Sequence, residues 1–288
     1  MAGPGARSRD LLVAGHVVVD RYLGVRRFPA AHRTEPVLSE RAALGGTATN
    51  LAVVAARQGL RVGLLSRVGD GFPAEFRRTL ARARIDLRGL ERVAGTPTPT
   101  CTIVEEPAGA TRMLFQQGPM GLARDPPAGS WWREYRWLHL ATGDPRSYVR
   151  LARAAKAGRQ HVTLDPAQEI FYRWDAPTLR AALPFADLLF GNRAELELAC
   201  RWAGRGTVEG LLARVPLIVR TEGADGASAF FRGGSIHARA HRPRRRRTFV
   251  GAGDAFRGGF YAGWLRGAPL KSCLDDGLRE ATARIERG

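Results

Sequence analysis

The stretch Val250-Gly251-Ala252-Gly253-Asp254-Ala255-Phe256 sets two glycines and a small residue directly before a carboxylate. It runs into Arg257-Gly258-Gly259-Phe260-Tyr261-Ala262-Gly263, which has small and apolar residues at helical spacing. Glycines before a helix free its first backbone N–H groups to face an anion, and the helix dipole adds roughly half a positive charge there. A phosphoryl group in transfer would gain most from such a nest, Gly251, Ala252 and Gly253 forming the anion hole. Asp254 at its mouth reads either as a helix cap or as a base that takes the proton of an attacking hydroxyl. A dinucleotide-binding reading of Gly251-x-Gly253 is weak, because the third glycine is misplaced and the segment lies late in the chain instead of after the first strand. The sequence contains no Gly-x-x-x-x-Gly-Lys phosphate loop.

Other segments carry polar groups suited to the same chemistry. Gly15-His16-Val17-Val18-Val19-Asp20 ends in an aspartate, and Gly45-Gly46-Thr47-Ala48-Thr49-Asn50 brings an amide to a glycine turn. Gly191-Asn192-Arg193-Ala194-Glu195 spaces an amide and a carboxylate by three, and Thr221-Glu222-Gly223-Ala224-Asp225-Gly226 is a glycine-bearing turn. Each has a plainer structural reading: Asp20 as a strand-end turn residue, Asn50 as a helix-start hydrogen bonder, Asn192 with Glu195 as a capping box, and Thr221 to Gly226 as a tight turn alone.

The elements that must position these groups alternate. Leu11 to Asp20 reads as one buried first strand, and 21–44, with Pro29 and Pro36, as exposed strands and turns. A helix is predicted over Leu51 to Gln58, a strand over Arg61 to Val68 and an amphipathic helix over Phe76 to Ala83. Residues 96–117 interrupt this with a β-hairpin, Thr100 to Val104 against Arg112 to Phe115, turning at Glu106 to Ala110. Alternation then resumes: strands at Trp137 to Ala141, His161 to Asp165, Leu188 to Phe190 and Leu217 to Arg220, with helices at Ser147 to Ala157, Pro177 to Leu183 and Arg193 to Ala203. Such alternation requires right-handed crossovers and a mainly parallel sheet.

Composition narrows the class. At 288 residues with 44% hydrophobic content the chain can bury a substantial core. No apolar run reaches membrane-span length, and Met1 to Asp10 carries Arg7 and Arg9 without a long apolar core, so a cytoplasmic protein is expected. Cys101, Cys200 and Cys273 are far apart and suggest neither zinc nor a redox pair. The formal charge of +18 comes almost wholly from arginine, the lysines being Lys156 and Lys271 alone. Only Arg244 to Arg247 is dense, which makes nucleic-acid binding a secondary reading beside a solvated loop.

Taken in order, these segments resemble the ribokinase (PfkB) family of carbohydrate and nucleoside kinases across nearly the whole chain. The resemblance implies an α/β, ribokinase-like three-layer fold: a mainly parallel central sheet, flanking helices and a small β-sheet lid formed by about 21–44 and 96–117 of a single 1–288 domain. It implies an ATP-dependent phosphotransferase with Asp254 as base and magnesium as cofactor. Asp20, Gly45, Gly46, Asn50 and Gln168 would meet the acceptor, Asn192 and Glu195 the metal, and Asn192, Thr221, Gly223 and Gly226 the nucleotide. Lids of this family often pair, so a homodimer through the lid is expected.

Details of the segments favour a nucleoside acceptor. Gly15-His16, His139-Leu140-Ala141-Thr142-Gly143-Asp144-Pro145 and Leu164-Asp165-Pro166-Ala167-Gln168 look like an archaeal broad-specificity nucleoside kinase subgroup. Val18 stands where ribokinase itself has an asparagine, which removes a hydrogen bond to a free sugar. Ribose 1-phosphate, met by Arg26, Arg27 and Arg33, and fructose phosphates are the alternatives. Two departures from the family pattern stand out. Thr248-Phe249-Val250 replaces a leading Asp-Thr-x, which makes potassium activation doubtful. The chain also stops at Glu286-Arg287-Gly288, short of its relatives, from which a more open base site and a looser choice of phosphate donor are expected.

Overall fold

The computed structural model describes residues 8–107 and 109–287; Met1 to Arg7, Ala108 and Gly288 lie outside the described residues. The chain opens with β1 (Arg9–Ala14), β2 (Val18–Val25), β3 (Val37–Gly45), α1 (Thr47–Arg57), β4 (Val62–Asp70), α2 (Ala74–Arg82) and β5 (Asp86–Pro97). The hairpin β6 (Thr100–Glu105) and β7 (Thr111–Gln116) follows. Next come β8 (Tyr135–Leu140), α3 (Pro145–Ala157), β9 (His161–Leu164), α4 (Ala176–Ala182), β10 (Leu188–Asn192), α5 (Arg193–Ala203) and α6 (Val208–Leu211). The chain finishes with β11 (Leu217–Thr221), β12 (Ala227–Phe231), β13 (Gly234–Ala238), α7 (Ala252–Trp264) and α8 (Leu270–Arg287).

A nine-stranded sheet runs in the order β13-β12-β11-β10-β9-β8-β1-β4-β5, parallel except where β12 and β13 fold back antiparallel. The alternation of β1 shows how the layers form: Leu11 and Val13 point into one buried cluster, Leu12 and Ala14 into the other. The first cluster takes Leu51 of α1, Leu80 of α2, Phe256 and Phe260 of α7 and Leu274 of α8, and the second takes Leu151 of α3, Leu179 of α4 and Leu196 of α5. The expected three-layer arrangement is therefore present. A separate four-stranded sheet, β3-β2-β6-β7, stands off it. The described cysteines are free thiols. Among the described residues no helix is long and apolar enough to cross a membrane.

The single opening strand expected over Leu11 to Asp20 is two strands in two sheets. Gly15 sits where a Cβ would lie 2.9 Å from that of Ala141 and 3.1 Å from that of Ala48. The His16 carbonyl accepts from Ala48 N at 3.2 Å, and Val17 N donates to Ser66 Oγ at 3.2 Å. These bonds end ladder pairing, so the chain leaves the central sheet and joins the smaller one at Val18. Asp20 consequently lies inside β2, buried and opposite Ala43, and not at a strand end.

Helix α7 is unusually rich in glycine for a helix interior, where each glycine costs about 1 kcal/mol relative to alanine. Its glycines face close neighbours: a Cβ on Gly258 would lie 2.6 Å from Val54 Cβ and 2.9 Å from the Leu51 carbonyl of α1, and one on Gly259 would lie 2.6 Å from the Asp276 carbonyl of α8. Gly258→Val should therefore destabilise the fold by about 1–3 kcal/mol, seen as a lower urea midpoint. An unchanged midpoint would show that the two helices can move apart freely.

Candidate active site

The amino terminus of α7, the start of α1, β2 of the smaller sheet and the carboxyl ends of β9, β10 and β11 meet around one cleft of about 1230 Å³. Clefts at the carboxyl ends of parallel strands are where open α/β sheets bind ligands. Asp20, Gly46, Asn50, Gln168, Asn192, Glu195, Thr221, Gly251, Gly253 and Asp254 all border it. Gly45, Ala252, Gly223 and Gly226 do not line it. A Cβ on Gly45 would overlap the Asp20 carboxylate, and Gly223 and Gly226, both at positive φ, shape the turn after β11.

Asp254 is not a cap. The N-cap of α7 is Gly251, in the left-handed conformation at φ 78° and with no side-chain cap bond. The Asp254 carboxylate instead accepts from Asn50 Nδ2 at 3.1 Å. Asn50, one turn into α1, is thus spent on a partner 204 positions away and not on its own helix start. Burial raises the pKa of Asp254, and the nearby Arg257 guanidinium and the Asn50 amide pull it back. Asp20 is pushed up to about 7, first by burial and then by the negative charge of Asp254.

The capping-box reading of Asn192 and Glu195 is realised. Asn192 Oδ1 accepts from Glu195 N at 2.9 Å, and Glu195 Oε2 accepts from Asn192 N at 2.7 Å. That bond pair leaves Asn192 Nδ2 and Glu195 Oε1 to the cleft. Among the described residues no group of three His, Cys, Asp or Glu side chains could hold a metal ion. An amide and a carboxylate are hard oxygen and nitrogen groups that could meet a hydrated cation directly or through its water.

Several cleft residues had no role in the sequence reading. His16 is buried, its Nδ1 2.8 Å from Thr142 Oγ1 and its ring edge-on to Phe115 at 5.0 Å, and burial lowers its pKa to about 4. Glu169 lines the cleft and is buried, accepting from Gln117 Nε2 at 2.9 Å and from Gly143 N at 2.5 Å, and burial pushes it up to about 7. Phe115 and Tyr172 add exposed aromatic surface at the mouth. Arg246 and Arg247 border the cleft, whereas Arg26, Arg27 and Arg33 are exposed on the smaller sheet's loop and do not. Arg257 borders the cleft from α7 and is 5% exposed; its position one turn after Asp254 was the available signal.

Comparison with known proteins bears on the family and the fold. Residues 8–288 match the pfkB family carbohydrate kinases. A nucleoside kinase of Methanothermobacter thermautotrophicus is 32% identical over 93% of this chain and 86% of its own length. An ATP-dependent ribose-1-phosphate kinase of Halopiger xanaduensis is 30% identical over 92% of this chain and 88% of its own. The crystal structure of Methanocaldococcus jannaschii nucleoside kinase, an archaeal member of the ribokinase family, superposes with a TM-score of 0.89 at 26% identity, covering 98% of this chain and 93% of that one.

The raised Asp20 links the cleft to stability. Its folded form holds a proton more tightly than the unfolded chain, so its contribution favours the fold below 3.8 and is lost as pH rises through about 7. Asp20→Asn should melt at a higher temperature than the parent at about pH 8 and coincide with it near about pH 4. Thermal denaturation at both pH values checks this, and an equal offset at both would assign the effect to packing.

Proposed function

Because the chain belongs to the pfkB family of carbohydrate kinases and is an ATP-dependent kinase, we propose that it moves the terminal phosphoryl group of ATP to a ribose hydroxyl of a nucleoside. The observation that carries the reading is the contact between Asn50 and Asp254 at the mouth of the Gly251–Gly253 nest, with Asp20 in the same cleft. Asp20 accepts hydrogen bonds from sugar hydroxyls and orients one of them toward the nest. Asp254 takes the proton of that hydroxyl as its oxygen bonds to the terminal phosphorus and the bond to the leaving diphosphate breaks. Backbone N–H groups at Gly251 to Gly253 receive the charge that gathers on the transferred group. Mg²⁺, held by Asn192 and Glu195 together with the nucleotide phosphates, would neutralise phosphate charge. The turn at Thr221, Gly223 and Gly226 adjoins the nucleotide.

The acceptor's base is supported by the lining. Val18 is buried where a free sugar would want an amide, and Phe115 and Tyr172 offer faces for a flat ring. The smaller sheet lies over this end and acts as a lid whose closure excludes water. Its exposed Val37, Leu38 and Leu114 suit pairing with a second copy. Arg246 and Arg247 favour a second reading, in which ribose 1-phosphate is the acceptor, as the Halopiger relative's name says of that protein.

An acceptor panel with ATP and Mg²⁺, spanning nucleosides, ribose, ribose 1-phosphate and hexose phosphates, tests both. Nucleosides should give the highest kcat/KM; a preference for ribose 1-phosphate would overturn the nucleoside reading. Asp254→Asn should lower kcat by about 10²–10⁴-fold with little change in acceptor KM, and a loss below about tenfold would remove Asp254 as the base.

A further inference from the structure

Asp254, Arg257 and Tyr261 fall on one face of α7, at i, i+3 and i+7. Below Asp254 the face turns into the protein, and Arg257 enters the interior with 5% of its surface exposed. Its Nη2 donates to Asp165 Oδ1 at 2.7 Å and its Nε pairs with Asp165 Oδ2. Asp165 is held in turn. His139 Nε2 lies 3.3 Å from Asp165 Oδ2, His139 Nδ1 is 2.9 Å from Tyr261 Oη, and Tyr261 donates to Thr163 Oγ1 at 2.6 Å. Arg257 Nη1 is 2.9 Å from the point a Cβ on Gly253 would occupy, so the guanidinium stands directly behind the second glycine of the nest.

A buried ion pair is a poor source of stability, since apolar residues of similar volume often do as well. This one is anchored to the sheet by further hydrogen bonds and aimed at the reacting end of the cleft. We propose that Arg257, fixed by Asp165, is a positioning residue for phosphoryl transfer: a permanent cation behind Gly253 that keeps Asp254 in its charged form and faces the negative charge gathering in the nest. This rests on Asp254 acting as the base. The groups facing Asp254 are Asn50 from α1, Asp20 from β2, Asp165 after β9, Glu195 from α5 and Arg284 from α8. Of the cations, Arg257 has the larger effect on Asp254 and Arg284 the smaller. Asp165 is held at about 2: burial works against the charge, and Arg257 and His139 outweigh it.

The two halves of the pair act on Asp254 with opposite sign, which separates an electrostatic role from a merely structural one. In the pH profile of kcat at saturating ATP, Mg²⁺ and nucleoside, Arg257→Gln should lower kcat at least about tenfold and move the acid limb upward by more than about half a unit. Asp165→Asn removes an anion and frees the guanidinium, so it should move the limb downward. The double variant Arg257→Gln/Asp165→Asn removes both members of the ion pair, so neither is left without the other, and it remains foldable where the single variants fail. It should show a limb above the parent's and a reduced kcat, because Arg257 outweighs Asp165 at Asp254. A folded double variant with the parent's kcat and limb would overturn the inference. A parent that phosphorylates no acceptor, or an active Asp254→Asn, would instead overturn the reading of Asp254 as the base.

Discussion

The close approach of α7 to α1 is the constraint on which the site depends. Gly258 lies against Val54 and the Leu51 carbonyl. One turn back along each helix stand Asp254 and Asn50, so contact at the glycine fixes the hydrogen bond between them. Any side chain at Gly258 would wedge the helices apart at the point that sets this distance. On its other flank Gly259 lets α8 approach equally closely, and α7 is clamped between two neighbours. The glycine nest is thus the free end of a helix held on both sides, and on the proposed reading it is a backbone anion site that needs little reorganisation as charge arrives.

That rigidity carries an electrostatic cost. Asp20, Glu195 and Asp254 face one cleft, and burial raises all three above ordinary carboxylates. Such a cluster opposes the fold near neutral pH and is tolerated where chemistry needs it. Arg257 offsets part of the repulsion and is itself tied to Asp165 and, through His139 and Tyr261, to the middle of β8 and β9. Register explains why a network can form there: His139 and Thr163 pair across adjacent parallel strands, so one tyrosine hydroxyl reaches both.

Much of this was legible in the sequence because the signals are local. The bounds of α5 follow from the capping box at its start and Gly204, in the left-handed conformation, at its end, and the nest at Gly251 to Asp254 is visible in its glycines. The unread parts depend on tertiary context. The break at Gly15 comes from the proximity of Ala48 and Ala141, which lie far along the chain. Strand β5, with Gly89 and the charged Arg88, Glu91 and Arg92, shows no clean alternation because it is an edge strand. Strands β12 and β13 and helix α8 went unassigned; β12 and β13 form the far edge of the sheet, and α8 packs over α7. Arg257 gave no compositional signal in a chain whose +18 charge is nearly all arginine. Its place one turn after Asp254 and its burial distinguish it from the rest.

On the proposed reading the cleft divides into a reacting end and an acceptor end of different character. The reacting end is built from α1, α7 and strand termini that pack into the core. The far end is bordered by Phe115 on an exposed strand and by Gln168 and Tyr172, all of them solvent-facing. Exposed positions can change with little effect on stability, whereas a change at Gly258 or Asn50 disturbs the contact between α1 and α7 and the hydrogen bond to Asp254. On the proposed reading the nest, the base and the helix contact behind them are therefore less free to vary than the surface that the smaller sheet closes over. Val18 and the polar chain from Thr47 through Thr142 to His16 lie where these two regimes meet. Buried or, for Thr47, half-buried, yet bordering the cleft, they are the positions at which a change of ligand would have to be reconciled with the fold.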